Sequence, residues 1–234
     1  MDEKQYGPPT PRPPDDAQCS CLCWSELVGG DWGVKERPAV HMMTNGGKTT
    51  LSKALLERLP NSCVMAQDAF FKDDSLVPVD SHGFKQYDML SALHMDRMME
   101  EVEAWRQDPR AFMASRRGAG HLLPPAVDQQ VFVLIIEGFL IFNYRPLNEL
   151  MNRRYFLQIP YKTCKQRRSS RVYTPPDPQG YFDRHVWPMY LKNRQEMEEM
   201  VEDLVLLDGL SERDELLSSV LRDVTADIEA LRQR

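Results

Sequence analysis

The chain is expected to fold as an α/β domain, a mostly parallel sheet with helices on both faces, and two observations predict this. From Ala39 onward, short apolar runs alternate with amphipathic segments of helical period. That is the pattern of strands whose crossovers are helices. At the start of this region, Thr44-Asn45-Gly46-Gly47-Lys48-Thr49-Thr50 reads as the back half of a phosphate-binding loop that opens a helix. In a complete G-x-x-x-x-G-K-[ST] loop, backbone N–H groups and the positive end of the following helix surround the phosphates. The lysine reaches the outer phosphates and the hydroxyl ligates magnesium. Gly47, Lys48 and Thr49 fill the last three positions, whereas position 42, where the first glycine belongs, holds Met42 preceded by His41.

The elements follow in order. Lys48 to Leu59 carries Leu51, Leu55 and Leu59 at four-residue spacing, a helix stopped by Pro60 and Asn61. Cys63–Ala66 reads as a short buried strand. His94–Arg106 reads as a helix that turns Met95, Met98, Met99, Val102 and Trp105 inward. Asp108 to Gln130 breaks the pattern with Pro109, Gly118, Gly120, Pro124 and Pro125, so no helix is expected there but a surface excursion or flap. Val131–Ile136 is the strongest buried strand, with Tyr155–Ile159 and Leu204–Leu207 as two more. Helices are expected at Tyr161–Arg171, Val186–Met200 and Ser211–Arg232, the last capped by Ser211. The Met and Leu stripes are read as core.

Length and composition bound the function. With 234 residues the chain suits one domain, placed at 39–234, plus a disordered proline-rich arm over 1–38. Six of the 17 prolines lie in that arm, and its Pro8–Pro14 stretch offers at most weak contacts to a polyproline groove. A net charge of −6 argues against a nucleic-acid binder. No apolar run is long enough to cross a bilayer, and Met1–Asp16 is polar rather than basic then apolar, unlike a secretory signal. A cytoplasmic protein with no membrane partner is expected. Five cysteines, three crowded at Cys19, Cys21 and Cys23, fit reduced thiols better than a disulfide framework or a metal site.

Three clusters sit where such a sheet binds ligands, at the carboxyl ends of its strands. Asp68 ends the second strand. Glu137 ends the central one, and a carboxylate after a buried apolar strand is costly unless it meets a cation or a donor, which makes it a candidate for the magnesium shell. Arg167, Arg168 and Arg171 lie on one predicted helix, where planar cations suit a triphosphate.

Several long motifs carry a resemblance. Asn45-Gly46-Gly47-Lys48-Thr49-Thr50, Gln67-Asp68-Ala69-Phe70-Phe71-Lys72, Gly83-Phe84-Lys85-Gln86-Tyr87-Asp88 and Ile136-Glu137-Gly138-Phe139-Leu140 occur in this order. They are followed by Arg171-Val172-Tyr173 with Pro175-Pro176-Asp177, then Gly180-Tyr181-Phe182-Asp183 and His185-Val186-Trp187-Pro188-Met189-Tyr190. From about residue 43 to the C-terminus the chain resembles the nicotinamide riboside kinases, and looks most similar to the second vertebrate paralogue. The resemblance implies a P-loop kinase fold and ATP- and Mg2+-dependent phosphorylation of the ribose 5′-hydroxyl, making nicotinamide mononucleotide for NAD salvage. By matching motif it implies that Asn45, Gly46, Gly47, Lys48, Thr49 and Thr50 hold ATP, with Arg167 and Arg171 in a lid above it. Asp68 becomes the catalytic base beside Lys48, and Thr49, Asp68 and Glu137 surround the metal. Phe71, Tyr87, Asp88, Arg168, Tyr173 and Thr174 contact the nucleoside, with Tyr87 and Tyr173 on either side of a cationic pyridinium, as aromatic faces attract cations.

Two departures stand out. Ala69 replaces the second Asp that the family usually has after Asp68, and Val34 to Met42 replaces a hydrophobic strand and glycine-rich turn. Pro38 lacks an N–H, and Lys35-Glu36-Arg37 puts charges where a central strand is expected. The rival expectation is therefore a catalytically impaired isoform that acts as a binding or regulatory protein. If His41 and Met42 are both replaced by glycine and 34–40 by an uninterrupted hydrophobic strand, MgATP is expected to bind one to a few orders of magnitude more tightly. Each charge-assisted contact regained is worth roughly 1.5–3 kcal/mol. Calorimetric titration of both proteins measures this, and equal affinities would show that the loop tolerates Met42.

Overall fold

The structure, a computed structural model, describes residues 18–19, 22–23, 25–27, 35–41, 47–116, 120–121, 131–173 and 176–233, with backbone alone for 18–41 and 120–121. Among these residues, β5 (Ser62–Ala66), β7 (Phe132–Gly138), β4 (Lys35–His41), β8 (Arg153–Pro160) and β9 (Leu204–Asp208) lie side by side in that order. All four neighbouring pairs are parallel. The short β6 (Gly120–His121) runs antiparallel beside β5. β1 (Gln18–Cys19) and β2 (Leu22–Cys23) pair antiparallel with β8, and β3 (Ser25–Leu27) does so with β4. The chain leaves β4 toward β5 on one side and later fills β8 and β9 on the other, so strand order reverses at the carboxyl end of β4. Open parallel sheets bind ligands at such a point.

The charged segment with Pro38 therefore is the central strand, crossing the expected domain boundary between residues 38 and 39. Its ladder with β7 pairs Lys35 and Glu36 with Phe132 and Val133, then Ala39, Val40 and His41 with Ile136, Glu137 and Gly138. The register is the same on both sides of Arg37 and Pro38. A missing N–H thus interrupts the ladder without shifting it, because five neighbouring residues still pair and the hydrophobic pattern of β7 admits one register. Met42 to Gly46 lie outside the described residues.

β7 reads as a continuous apolar run because it is buried on both faces, and its pleat divides the run in two. Leu134 and Ile136 pack with Cys63, Met65 and Phe156 against α2 (Met95–Gln107), whose Met98, Val102 and Trp105 are fully buried. Val133 and Ile135 pack with Tyr155 and Leu157 against α1 (Lys48–Arg58) and α7 (Arg213–Arg232), through Leu51, Leu55, Val220 and Val224. A third cluster joins Ile159 and Cys164 of β8 and α5 (Tyr161–Ser169) to Tyr181, Phe182 and Trp187 at the start of α6 (Trp187–Glu198). Cys63 and Cys164 are free and buried, and burial pushes the Cys63 thiol up to about 12. No described helix is long and apolar enough to cross a membrane.

Four local expectations are corrected. α3 (Pro109–Ser115) forms where a helix was not expected: Pro109 occupies the first turn, where its missing N–H is harmless, and the Asp108 side chain accepts from the Ala111 N–H. A single turn, α4 (Arg145–Asn148), also goes unmarked in the sequence pattern. α7 begins after Glu212 rather than Ser211, with no side-chain cap. α5 ends at Ser169, so Arg171 lies just beyond the helix that was expected to carry it. The Asp108→Ala variant is expected to lose about 0.5–2 kcal/mol of stability through the cap of α3, read as a lower midpoint in urea; an unchanged midpoint would mean that the cap contributes nothing.

Candidate active site

α1 starts at the carboxyl end of the central strand, and its first residues build one half of the site. Gly47 caps it with φ 108°, a left-handed conformation open to glycine, and its carbonyl accepts from the N–H groups of Thr50 and Leu51 at 3.1 Å each. The next residue, Lys48, is buried, and its Nζ donates to Asp68 Oδ2 at 2.8 Å. Asp68 is half exposed and sits not at the end of β5 but in the 3-10 turn Gln67–Phe70 that follows it.

The alternation in β7 decides what meets α1. Glu137 continues the Val133 and Ile135 face, so its side chain points at the first turn of α1. There Thr49 Oγ1 donates to Oε1 at 3.1 Å, and Ser52 Oγ lies 3.4 Å from Oε2. Burial pushes the Glu137 carboxyl above the usual range, while the Lys48 ammonium and the two hydroxyls pull it back. Gly138 faces the other way, onto Gln67. A Cβ there would come within 2.5 Å of Gln67 Oε1 and 2.6 Å of Ile141. The close approach lets Gln67 Oε1 accept from the N–H groups of Phe139 and Leu140, both at 2.9 Å. One buried amide thereby ties the turn carrying Asp68 to the strand end carrying Glu137.

On the far side of Asp68 opens a cavity of about 550 Å³ lined by aromatic rings and charges. Phe71 stacks on Phe139 with centroids 5.6 Å apart and meets Tyr87 edge-on at 5.9 Å. The Tyr87 hydroxyl donates to Asp74, which also accepts from Lys85. Arg168 is buried, grips Asp177 through Nε at 2.7 Å and Nη2 at 3.0 Å, and stands over the Tyr173 ring at 4.7 Å. Burial pushes Asp88 up to about 6; Arg168 works against that shift and Asp177 adds to it.

The structure brings Asp68, Phe71, Tyr87, Asp88, Arg168, Arg171 and Tyr173 to one cavity wall, and Lys48, Thr49 and Glu137 together at the start of α1, joined to that wall through Lys48 and Asp68. Thr50 is on the first turn of α1, and Arg167 is half-buried on α5. Asn45, Gly46 and Thr174 lie outside the described residues. Sequence reasoning assigned no role to Gln67, Ser52 or Asp177. The Gly138 that follows Glu137 was the only local sign of a close partner, and Asp177 is nine residues from Arg168 across a loop with no period.

A helix N-terminus bearing a lysine at the switch point of a parallel sheet, with a carboxylate cavity beside it, defines a P-loop kinase. A protein-family profile described as "AAA domain" matches residues 43–188. The chain is 53% identical over 189 residues to nicotinamide riboside kinase 1 of Rattus norvegicus, covering 80% of this chain and 92% of the relative. It is 50% identical over 182 residues to nicotinamide riboside kinase 2 of Homo sapiens, covering 78% and 77%. Human nicotinamide riboside kinase 1 matches at 47% over 186 residues, covering 80% and 90%. The chain belongs to the nicotinamide riboside kinase family. Both paralogues match at overlapping identity, so these values place it in the family as a whole.

The Gly138→Ala variant is expected to lose about 1–3 kcal/mol of stability, because Gln67 and Ile141 must move. It should also lower turnover by loosening the Asp68 turn. Denaturant unfolding together with steady-state kinetics checks both; wild-type values in both would mean that the Gln67 contact yields at no cost.

Proposed function

We propose that this chain transfers the γ-phosphoryl group of ATP to the ribose 5′-hydroxyl of nicotinamide riboside, in the cytoplasm, making nicotinamide mononucleotide for NAD salvage. One observation carries the reading: Asp68 belongs at once to the phosphate-loop helix, through its 2.8 Å contact with Lys48, and to the wall of the aromatic cavity. A nucleoside in that cavity has its hydroxyl beside a carboxylate, and a triphosphate at α1 has its outer phosphate beside Lys48. Positioning of this kind is most of what phosphoryl transfer requires.

In this reading Asp68 takes the 5′-hydroxyl proton as that oxygen bonds to the γ-phosphorus and the bond to the β–γ bridging oxygen breaks, releasing ADP. Lys48 and the N–H groups of Gly47 to Thr49, with Asn45 and Gly46 before them and the Thr50 side chain beside them, balance the charge on the phosphates, and Arg167 and Arg171 close over them. Asp88 accepts the ribose hydroxyls beside Arg168. Tyr87 and Tyr173, with Phe71 and Thr174 nearby, present electron-rich faces to the pyridinium cation. The donor set fits magnesium: Thr49 Oγ1 and a Glu137 oxygen lie 3.1 Å apart, both hard oxygens. Magnesium takes hard oxygen ligands and is commonly held by one or two protein groups together with substrate phosphates. Held by Thr49 and Glu137 with Asp68 nearby, it would neutralise charge on the β- and γ-phosphate oxygens.

The impaired-isoform alternative rests on Met42 in place of the first loop glycine and on the charged strand with Pro38 that precedes it; that strand nonetheless keeps one register with β7. A coupled assay of ATP turnover on nicotinamide riboside tests the reading. The Asp68→Asn variant is expected to bind the nucleoside nearly as the parent does while turnover falls about two to four orders of magnitude. Turnover at the parent rate would show that another group is the base.

A further inference from the structure

The Asp88 carboxylate has a neighbour with no role in the scheme above. His185 is 4% exposed, and its Nε2 has no hydrogen-bond partner among the described residues. That nitrogen lies 3.6 Å from Asp88 Oδ2. On the opposite edge of the ring, Nδ1 lies 3.3 Å from Gln86 Nε2. The two N–H groups of that amide also face the Phe84 carbonyl at 3.0 Å and Asp80 Oδ2 at 3.1 Å, so the tautomer is selected on the other edge, where the Asp88 carboxylate only accepts and favours the proton on Nε2. Burial holds His185 below its ordinary value, which favours that neutral form at pH 7.

The backbone supports this aim by a local device. Phe182–Val186 is a π-helical turn, in which the Trp187 N–H donates to the Phe182 carbonyl five residues back. Pro188 follows, with no N–H to give and a ring that displaces the carbonyl four residues before it. The wide turn thus forms where an ordinary helical bond is lost anyway, and such turns recur at functional sites. Tyr181 stacks on the imidazole at 5.0 Å and fixes its plane. The Asp88 carbonyl accepts from Asn193 Nδ2 on α6 at 2.9 Å, so carboxylate and imidazole are both referred to one helix.

We propose that His185 is a positioning residue for the nucleoside, whose Nε2–H steadies the ionised Asp88 carboxylate while that carboxylate accepts the ribose hydroxyls. At 3.6 Å the contact is too long for a hydrogen bond. A shift of about half an ångström completes it as the substrate draws the cavity together. The inference rests on the reading of Asp88 as the ribose acceptor. The other titratable groups that act on Asp88 are Arg168, Asp177 and Tyr181, and those that act on His185 are Asp80 and Arg168. Arg168 directs Nε and Nη2 to Asp177. His185 then supplies the donor facing Oδ2.

The test is steady-state kinetics on the full chain with nicotinamide riboside and ATP, for the parent and for His185→Leu, His185→Gln, Asp88→Asn and the His185→Leu/Asp88→Asn double variant. His185→Leu is expected to raise the riboside KM about tenfold or more, with the ATP KM within about twofold of the parent. His185→Gln keeps an N–H donor near the Nε2 position and should recover most of the loss. In the Asp88→Asn background, His185→Leu should add little, because the group it acts on is gone. A donor to ionised Asp88 favours its charged form, so removing it raises the pKa of Asp88. The acid limb of kcat/KM for the riboside should then move to higher pH in His185→Leu. If Asp88→Asn leaves the riboside KM unchanged, the ribose reading fails and the inference with it. If Asp88→Asn raises the KM but His185→Leu does not, or if the two effects add in full, the inference alone is overturned. Equal rises in the riboside and ATP KM would assign His185 to the fold instead.

Discussion

The site depends on the two-residue period of one buried strand. β7 is covered on both faces, so its side chains have no choice of environment, and the same alternation that sends Val133 and Ile135 toward α1 sends Glu137 there. A carboxylate buried to 3% exposure is tolerable only because the first turn of α1 meets it with two hydroxyls and the Lys48 ammonium nearby. The residue after it must then face the opposite layer. There the chain has glycine, and the space left is filled by the Gln67 amide that holds Phe139, Leu140 and the Asp68 turn together. The first turn of α1, the candidate metal ligand and the candidate base are thus held together by one strand and one glutamine.

Charge organises the cavity in the same economical way. Asp68, Asp88 and Asp177 line it together with Lys85, Arg168 and Arg171. Most of these charges are already matched: Lys48 with Asp68, Arg168 with Asp177, Lys85 with Asp74. Asp88 differs from these, buried and raised to about 6, with the His185 imidazole 3.6 Å from its Oδ2. A carboxylate in that condition gains more from new hydroxyl donors than a paired one does, which suits it to a ribose.

The central strand shows how far tertiary context outweighs local preference. Lys35-Glu36-Arg37-Pro38 lacks the hydrophobicity of an interior strand and Pro38 lacks an N–H, yet Lys35 and Glu36 pair with β7, Lys35 to Arg37 with β3, and Pro38 opens the pairing with β8. Its neighbours supply the reason: β7 is strongly apolar, and without a strand between them β7 and β8 would each leave a row of unpaired backbone groups. The interruption at Pro38 stays local because a ladder tolerates one missing donor better than a shift that would turn every side chain over.

The sequence by itself determined the class of fold, the order of most helices and strands, and the helix start at Gly47-Lys48-Thr49, because hydrophobic period, the Gly-Gly-Lys-Thr run and helix stops are short-range signals. It also marked Asp68 and Glu137, since charges beside buried runs are costly enough to stand out, and the cluster of Arg167, Arg168 and Arg171, whereas Asp88 was indicated by the family resemblance alone. α3 was missed because its proline lies where a helix start tolerates it, a matter of one position. Only the tertiary structure decided that β4 is central, that Gln67 joins two strand ends 72 residues apart in sequence, and that His185 faces Asp88 across 3.6 Å. These contacts have no local period. They arise when distant elements are pressed together by burial, and their geometry exists only once the sheet, α1 and α6 have packed.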